Sequence, residues 1–240
     1  MDILRVAAVN FFSSFGKVER NLAHTEYWAE KLAQQGVQLI CFPEMSITGY
    51  SAGSRITRLT QPIPGSVTDT LLGIAQRYRV CLLAGLPEEG DDGHLYISQV
   101  VVSPDGLMGV YRKTVLFHTE KTFFHEGDST RVFQYRGVTF GIQICYEASS
   151  TEVSAIQASQ GAEVFFVPTG SLAKEPPERK RQRLLGRLLP KARTHSCHVV
   201  SCNLICSRAK NAGVAFIISP KGEILDEAVG TEEAAVIADI

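Results

Sequence analysis

Surplus charge is what this chain most clearly lacks. Lys and Arg number 24 against 25 Asp and Glu, a formal net charge of −1 at pH 7. That balance offers no electrostatic grip on a phosphate backbone or an anionic membrane surface. Long apolar runs are missing too, and none approaches the roughly 20 residues a membrane-spanning helix needs. The opening "MDILRVAAVN" enters a strand-like run directly, without the basic, apolar and small-residue zones of a secretory leader. Cysteine is sparse. Its six positions, 41, 81, 145, 197, 202 and 206, sit mostly in apolar runs without the spacing of a disulfide framework. Together these absences predict a reduced, cytoplasmic protein that binds neither nucleic acid nor membrane. With 240 residues, 45% of them hydrophobic, the chain can bury a core without disulfide support.

What is present alternates between strands and helices. "ILRVAAV" reads as a buried strand, followed by a helix with Val18, Leu22, Ala29, Leu32 and Ala33 on one face and closed by Gly36. Strand "VQLICF", a helix near 66–79, strand "VCLLAGL" and a hairpin turning at Ser103-Pro104-Asp105-Gly106 complete the first half. The second half repeats the order: strand 138–144, a helix near 150–160, strand "EVFFVP", a helix near 176–195, strand "HVVSCNL" and a hairpin turning at Ser219-Pro220-Lys221-Gly222. The repeat predicts one α/β domain over 1–240, a four-layer αββα sandwich of two similar β-α-β-α-β-β halves. Between them, 112–130 is a long loop dense in Lys, His and Glu, of the kind that more often carries function than mere connection.

Ligands of α/β sheets bind beyond the carboxyl ends of strands. Glu44, Lys113 and Cys145 each stand just past an apolar run. Taken singly, a strand-end cysteine is usually a small buried hydrophobe, a glutamate a solvated charge or cap, and a lysine a surface cation. Taken together they supply the parts for amide hydrolysis: a nucleophile, a base to ionise it and a donor for the developing oxyanion.

"FPEMSITGY" (42–50), "YRKTVLF" (111–117), "GIQICYEAS" (141–149) and "EKTFFHEGD" (120–128) resemble the motifs of the carbon–nitrogen hydrolase, or nitrilase/amidase, superfamily. The resemblance covers nearly the whole chain. It implies the same αββα sandwich, a homodimer or higher homo-oligomer, and chemistry that needs no cofactor and no metal. It also implies Cys145 as the nucleophile that forms a thioester, Glu44 as base, and Lys113 with the Tyr146 N–H facing the oxyanion. Glu120 would be a second carboxylate holding Lys113 and substrate in place. Thr169 and Tyr50 are substrate neighbours by position. The expected substrate is a small aliphatic amide or an N-carbamoyl amine, with release of ammonia. The alternatives are nitrile hydrolysis on the same site, or a binding module that keeps the fold without turnover. Tyr146 stands where nitrile-cleaving members usually have Trp, which favours amides. Glu147 stands where the family often has Asp, and "ASSTEV" departs from the residues that usually follow.

Two further features carry competing readings. "ERKRQRLLGRLLPKAR" sets basic residues against Leu184, Leu185, Leu188 and Leu189 at helical spacing, as a solvated basic face over a buried stripe. Its sharper reading is that one Arg reaches the pocket and forks a substrate carboxylate. Pro190 is expected to kink or end that helix. His195, Cys197, His198 and Cys202 could look like metal ligands, but strand alternation would split them between faces. His118 and His125 read as ordinary loop residues.

Overall fold

The computed structural model describes residues 3–51, 53–205 and 211–240; Cys206 lies outside them. The first half comprises β1 (Arg5–Phe12), α1 (Val18–Ala33), β2 (Leu39–Cys41), β3 (Gln61–Pro62), α2 (Ser66–Tyr78), β4 (Cys81–Glu89), β5 (Leu95–Ser103) and β6 (Gly106–Arg112). The second comprises β7 (Val132–Tyr135), β8 (Val138–Ile142), α3 (Thr151–Ser159), β9 (Val164–Thr169), α4 (Pro177–His195), β10 (His198–Ile205), β11 (Gly213–Ile218), β12 (Ile224–Gly230) and β13 (Ala234–Asp239).

The unbroken apolar runs follow from where the strands sit. Along β1, Val6 and Ala8 enter a core between the two sheets, while Ala7, Val9 and Phe11 pack beneath α1 and α2. Along β9, Val164 and Phe166 face the same central core, and Phe165 and Val167 pack beneath α4. A strand covered on both faces has no reason to alternate apolar with polar. The four layers are therefore helix, sheet, sheet, helix, as the repeat predicts. Phe140 and Phe166 meet edge to face in the central core, centroids 5.3 Å apart; truncating either would cost ~3–5 kcal/mol.

The first sheet runs β6-β5-β4-β2-β1-β13, and the second β7-β8-β9-β10-β11-β12. A short parallel pairing of Phe11 with Leu204 and Phe12 with Ile205 joins them. Both arms of each hairpin join the sheet, so each half carries a strand beyond the expected β-α-β-α-β-β, and the first half adds the two-residue β3 beside β4. Outside the repeat, β7 pairs antiparallel with the first strand of its half, β8. The chain's last strand, β13, does the same for β1 in the other half.

α1 ends where Gly36, at φ 78°, turns the chain left-handed and donates its N–H to Ala33. α4 differs from expectation: it runs through Pro190 to His195. Gly186, whose carbonyl loses its partner there, is exposed, as is Pro190, so water can take the freed acceptor. Among the described residues no helix is long and apolar enough to cross a membrane.

Candidate active site

Four segments meet beyond the carboxyl ends of β2, β6, β8 and β9. The turn after β2 is fixed first. Phe42 donates its N–H to Leu83 O at 2.9 Å and accepts from Gln99 Nε2 at 2.8 Å, while Ile47 donates to Gly85 O at 3.0 Å. A Cβ on Gly85 would lie 2.5 Å from Met45 N, so only glycine lets β4 approach the turn this closely. Glu44 is left 1% exposed at its tip.

Lys113 continues the ladder one step beyond β6, donating its N–H to Ile97 O at 2.8 Å. The cysteine segment differs from expectation, because β8 stops at Ile142, and Gln143 and Ile144 lead into a 3-10 turn over Cys145–Ser149. Cys145 stands at its start at φ 54°, a left-handed conformation costly for a residue with a Cβ. Glu147, fully buried, holds this turn against the lysine segment. It accepts from Ile144 N at 2.6 Å, from Thr114 N and Oγ1 at 2.7 Å each, and from the Tyr111 hydroxyl at 3.0 Å.

Those segments bring the predicted residues together. Lys113 Nζ donates to Glu44 Oε1 at 2.8 Å and to Glu120 Oε1 at 2.9 Å. The Cys145 thiol lies close enough to Glu44 and Lys113 to feel the charge of both. The other Glu44 oxygen, Oε2, accepts from the Gly170 N–H at 2.8 Å. Glu120 Oε2 accepts from Phe117 N at 2.7 Å, and the Tyr50 hydroxyl donates to Glu120 Oε1 at 3.3 Å. Two carboxylates thus share one buried ammonium, which keeps one of its three protons for another acceptor.

The electrostatics follow from burial. Desolvation, reinforced by the charge of Glu120, raises the Glu44 carboxyl above its ordinary range against the pull of Lys113. Burial alone would lower Lys113, but the charges of Glu44, Cys145 and Glu120 raise it on balance. The Cys145 thiol is pushed up to about 12, by burial first and then by the charge of Glu44. The resting sulfur is therefore a protonated thiol beside a carboxylate of raised basicity. Ionising it requires the base.

A cavity of about 600 Å³ opens over this cluster. Glu44, Glu120 and Cys145 form its floor, Phe117 and Tyr146 one lip, and the 169–173 segment with α4 the opposite wall. Tyr146 and Phe117 meet edge to face at 5.4 Å, both partly exposed. Tyr50 and Thr169 line the cavity. The Thr169 hydroxyl is taken up by Asn203 Oδ1 at 2.7 Å and Cys202 O at 2.9 Å. His118 and His125 lie outside; His125 stacks on His94 at 3.8 Å. Cys197 packs under α4 and Cys202 in the central core, as alternation requires. Among the described residues no group of three or more His, Cys, Asp or Glu could hold a metal ion.

The basic helix needs correction. Leu185 and Leu188 are buried as expected, but the face opposite is not simply solvated, since Lys180 and Lys191 are themselves buried. Desolvation lowers both, to about 8. Lys180 Nζ donates to Ala212 O at 2.8 Å and Ser171 O at 3.1 Å, and Lys191 Nζ to Ser154 Oγ. Arg179, Lys180, Arg183 and Arg187 line the cavity. Sequence reasoning also missed Gly170. Its signal was a glycine directly after Thr169 at the end of a buried strand, and a Cβ there would lie 2.6 Å from Glu44 Oε2.

Comparison with known proteins agrees with this architecture. A solved amidase from Nesterenkonia sp. superimposes with a TM-score of 0.86 at 22% identity, over 99% of this chain and 90% of its own. A protein named nitrilase from Pyrococcus abyssi is 32% identical over 99% of this chain and 90% of its own length. The omega-amidase of Homo sapiens is 29% identical over 100% and 89%. The family profile described as carbon-nitrogen hydrolase matches residues 5–240. With its αββα layers and a match over nearly its full length, the chain belongs to the carbon–nitrogen hydrolase family.

Proposed function

We propose that this protein hydrolyses the C–N bond of a small amide or N-carbamoyl amine through a thioester on Cys145. The observation that carries this reading is that Cys145 shares the floor of one cavity with Glu44, the carboxylate bonded to Lys113. Glu44 takes the thiol proton as sulfur attacks the carbonyl carbon. Lys113, with its remaining proton, and the Tyr146 N–H face the oxyanion, a donor of that kind being worth ~3 kcal/mol in the transition state. As the intermediate collapses, Glu44 returns the proton to the departing amine, which leaves as ammonia from a primary amide. Glu44 then deprotonates water, which cleaves the thioester to the acid and restores the thiol. Glu120 holds Lys113 from the other side and takes no proton in this sequence.

A nitrile would enter at the same sulfur, and the Pyrococcus abyssi relative bears that name. Tyr146, where nitrile-cleaving members usually carry Trp, and a carboxylate able to return a proton to a departing amine favour the amide. Ammonia release from a panel of amides, N-carbamoyl compounds and nitriles, with Cys145→Ala in parallel, tests the reading. Release from an amide or carbamoyl compound that vanishes in the variant is expected. Release that persists in a folded Cys145→Ala protein overturns it, and silence of the whole panel with an unreactive Cys145 thiol favours a binding module.

A further inference from the structure

Lys180 stands where an ammonium is unfavourable on three counts. It is fully buried, and it belongs to the first four residues of α4, where the helix dipole opposes positive charge. Among the described residues no carboxylate bonds it: it donates to two neutral carbonyls, Ala212 O at 2.8 Å and Ser171 O at 3.1 Å, while Glu175 is taken up by Arg183 at 2.5 Å. Burial first, and then the charge of Arg183, lower it to about 8 against the weaker pull of Glu175 and of Cys145. What the ammonium secures is the strand exit that carries Gly170. On one side of that glycine, the Thr169 hydroxyl is bonded to Asn203 Oδ1 at 2.7 Å and Cys202 O at 2.9 Å. On the other, Ser171 O accepts from Lys180 and is approached by the amide nitrogens of Asn203 and Asn211 at 3.2 Å each. Between these anchors the Gly170 N–H is aimed at Glu44 Oε2 at 2.8 Å. A Cβ on Gly170 would collide with that oxygen, yet glycine is the residue least able to hold its own dihedral angles. Its orientation has to be imposed by its neighbours.

We infer that Lys180 is a positioning residue for the base: by holding Ser171 O it keeps the Gly170 N–H on Glu44, and so keeps the carboxylate turned toward the thiol. In this role it touches neither substrate nor reacting atoms. Lys113, Glu120, Cys145 and Tyr50 are the titratable groups that face Glu44 directly, and Lys180 acts on it from behind the Gly170 backbone. The inference rests on the proposed role of Glu44 as the base of the reaction, but the clamp is readable without turnover.

The test compares two pH profiles: kcat/KM for the best amide, and alkylation of Cys145 by iodoacetamide, read by mass spectrometry on the peptide that contains it. Alkylation needs Glu44 to ionise the thiol but needs no substrate. Lys180→Met removes the donor and fills the space with an unbranched apolar chain, so the fold should survive. Deprived of the Gly170 N–H on its charged form, Glu44 should ionise less readily. The acid limb of both profiles should therefore move up by about half a pH unit or more, and kcat should fall about tenfold with KM little changed. Loss of the Lys180 charge alone would also raise Glu44, and Gly170→Ala separates the two causes. In that background the N–H is already displaced, so Lys180→Met should move the limb by less than about a third of its effect in the unsubstituted protein. Asn211→Ala, which takes another donor from Ser171 O, should move the limb the same way and decides the matter if Lys180→Met does not fold. An unmoved limb in folded Lys180→Met, a shift that persists in full beside Gly170→Ala, or, failing the lysine variant, an unmoved limb in Asn211→Ala overturns the inference. The expected shifts in alkylation, in a protein that turns over no amide or carbamoyl compound, would overturn the proposed reaction instead and leave the clamp standing.

Discussion

Glu44 and Gly170 are in contact through a single oxygen. Glu44 Oε2 accepts the Gly170 N–H at 2.8 Å, and a Cβ added to Gly170 would stand 2.6 Å from that same atom. The carboxylate beside the thiol is thus aimed by a backbone group that only glycine can bring so close. Gly170→Ala should therefore displace the base without unfolding the chain. A fall in kcat of at least about tenfold is expected with an unchanged circular dichroism spectrum, since misplacing a catalytic group by an ångström can cost a hundredfold. Full activity in Gly170→Ala would mean that the carboxylate's position does not limit the reaction.

The acid limb of the pH profile should report Glu44. Burial raises its pKa, so the ionised base persists only above a pH higher than the ordinary carboxylate value of about 4.3. The kcat/KM of the unsubstituted protein should fall as pH drops through that raised value, and Glu44→Gln should lose most activity at every pH. With Cys145 at about 12, the rate should gain nothing from bulk thiol ionisation between pH 7 and 9. A rate that climbs tenfold per pH unit there would indicate a thiolate formed without the base.

Lys113 neutralises two buried carboxylates, so its removal should be felt in stability as well as rate. Lys113→Met should cost ~3–5 kcal/mol in urea unfolding, because Glu44 and Glu120 are left without their shared cation. The sign of the pH dependence follows. Without the lysine, the carboxyl pKa of Glu44 rises further in the folded state, and that form loses stability as pH climbs through it. The deficit should be smaller at pH 5 than at pH 8. Adding Glu120→Gln should recover part of it; a double variant as unstable as the sum of the two singles would show that the charges do not act as one cluster.

Glu147 should matter for a different reason, as an acceptor. It satisfies two backbone N–H groups and two hydroxyls that bind the Cys145 turn to the Thr114 segment. Glu147→Ala would orphan these donors, at ~1–3 kcal/mol for each left buried and dry, and its melting temperature should drop by several degrees. An unchanged melting temperature would show that water or a rearranged turn replaces the carboxylate.

Much of this was legible in the sequence because the chain states it twice. Strands covered on both faces leave unbroken apolar runs, such as "EVFFVP", and the two SPxG turns mark equivalent hairpins. Glu44, Lys113, Glu120 and Cys145 could be picked out because each follows such a run or a family motif. What stayed hidden depends on tertiary position rather than pattern. Nothing local says that β13 returns to pair with β1, or that Lys180 and Lys191 are buried, since a basic helix usually keeps its cations in water. Helix spacing does place Arg179, Arg183 and Arg187 on one face, yet only the packing of α4 against the 169–173 segment shows that the face borders the cavity. The same holds for Gly170, which reads as a loop glycine until Glu44 arrives from 126 residues away.

The measurement that bears most directly on the account is rapid-quench mass spectrometry of the intact protein during turnover of its best amide. The account predicts an added mass equal to the acyl group, carried on the peptide containing Cys145, appearing before the acid product accumulates and absent from Cys145→Ala. Steady turnover with no acyl adduct on Cys145, or an adduct on another residue that kinetics show to be competent, would contradict it.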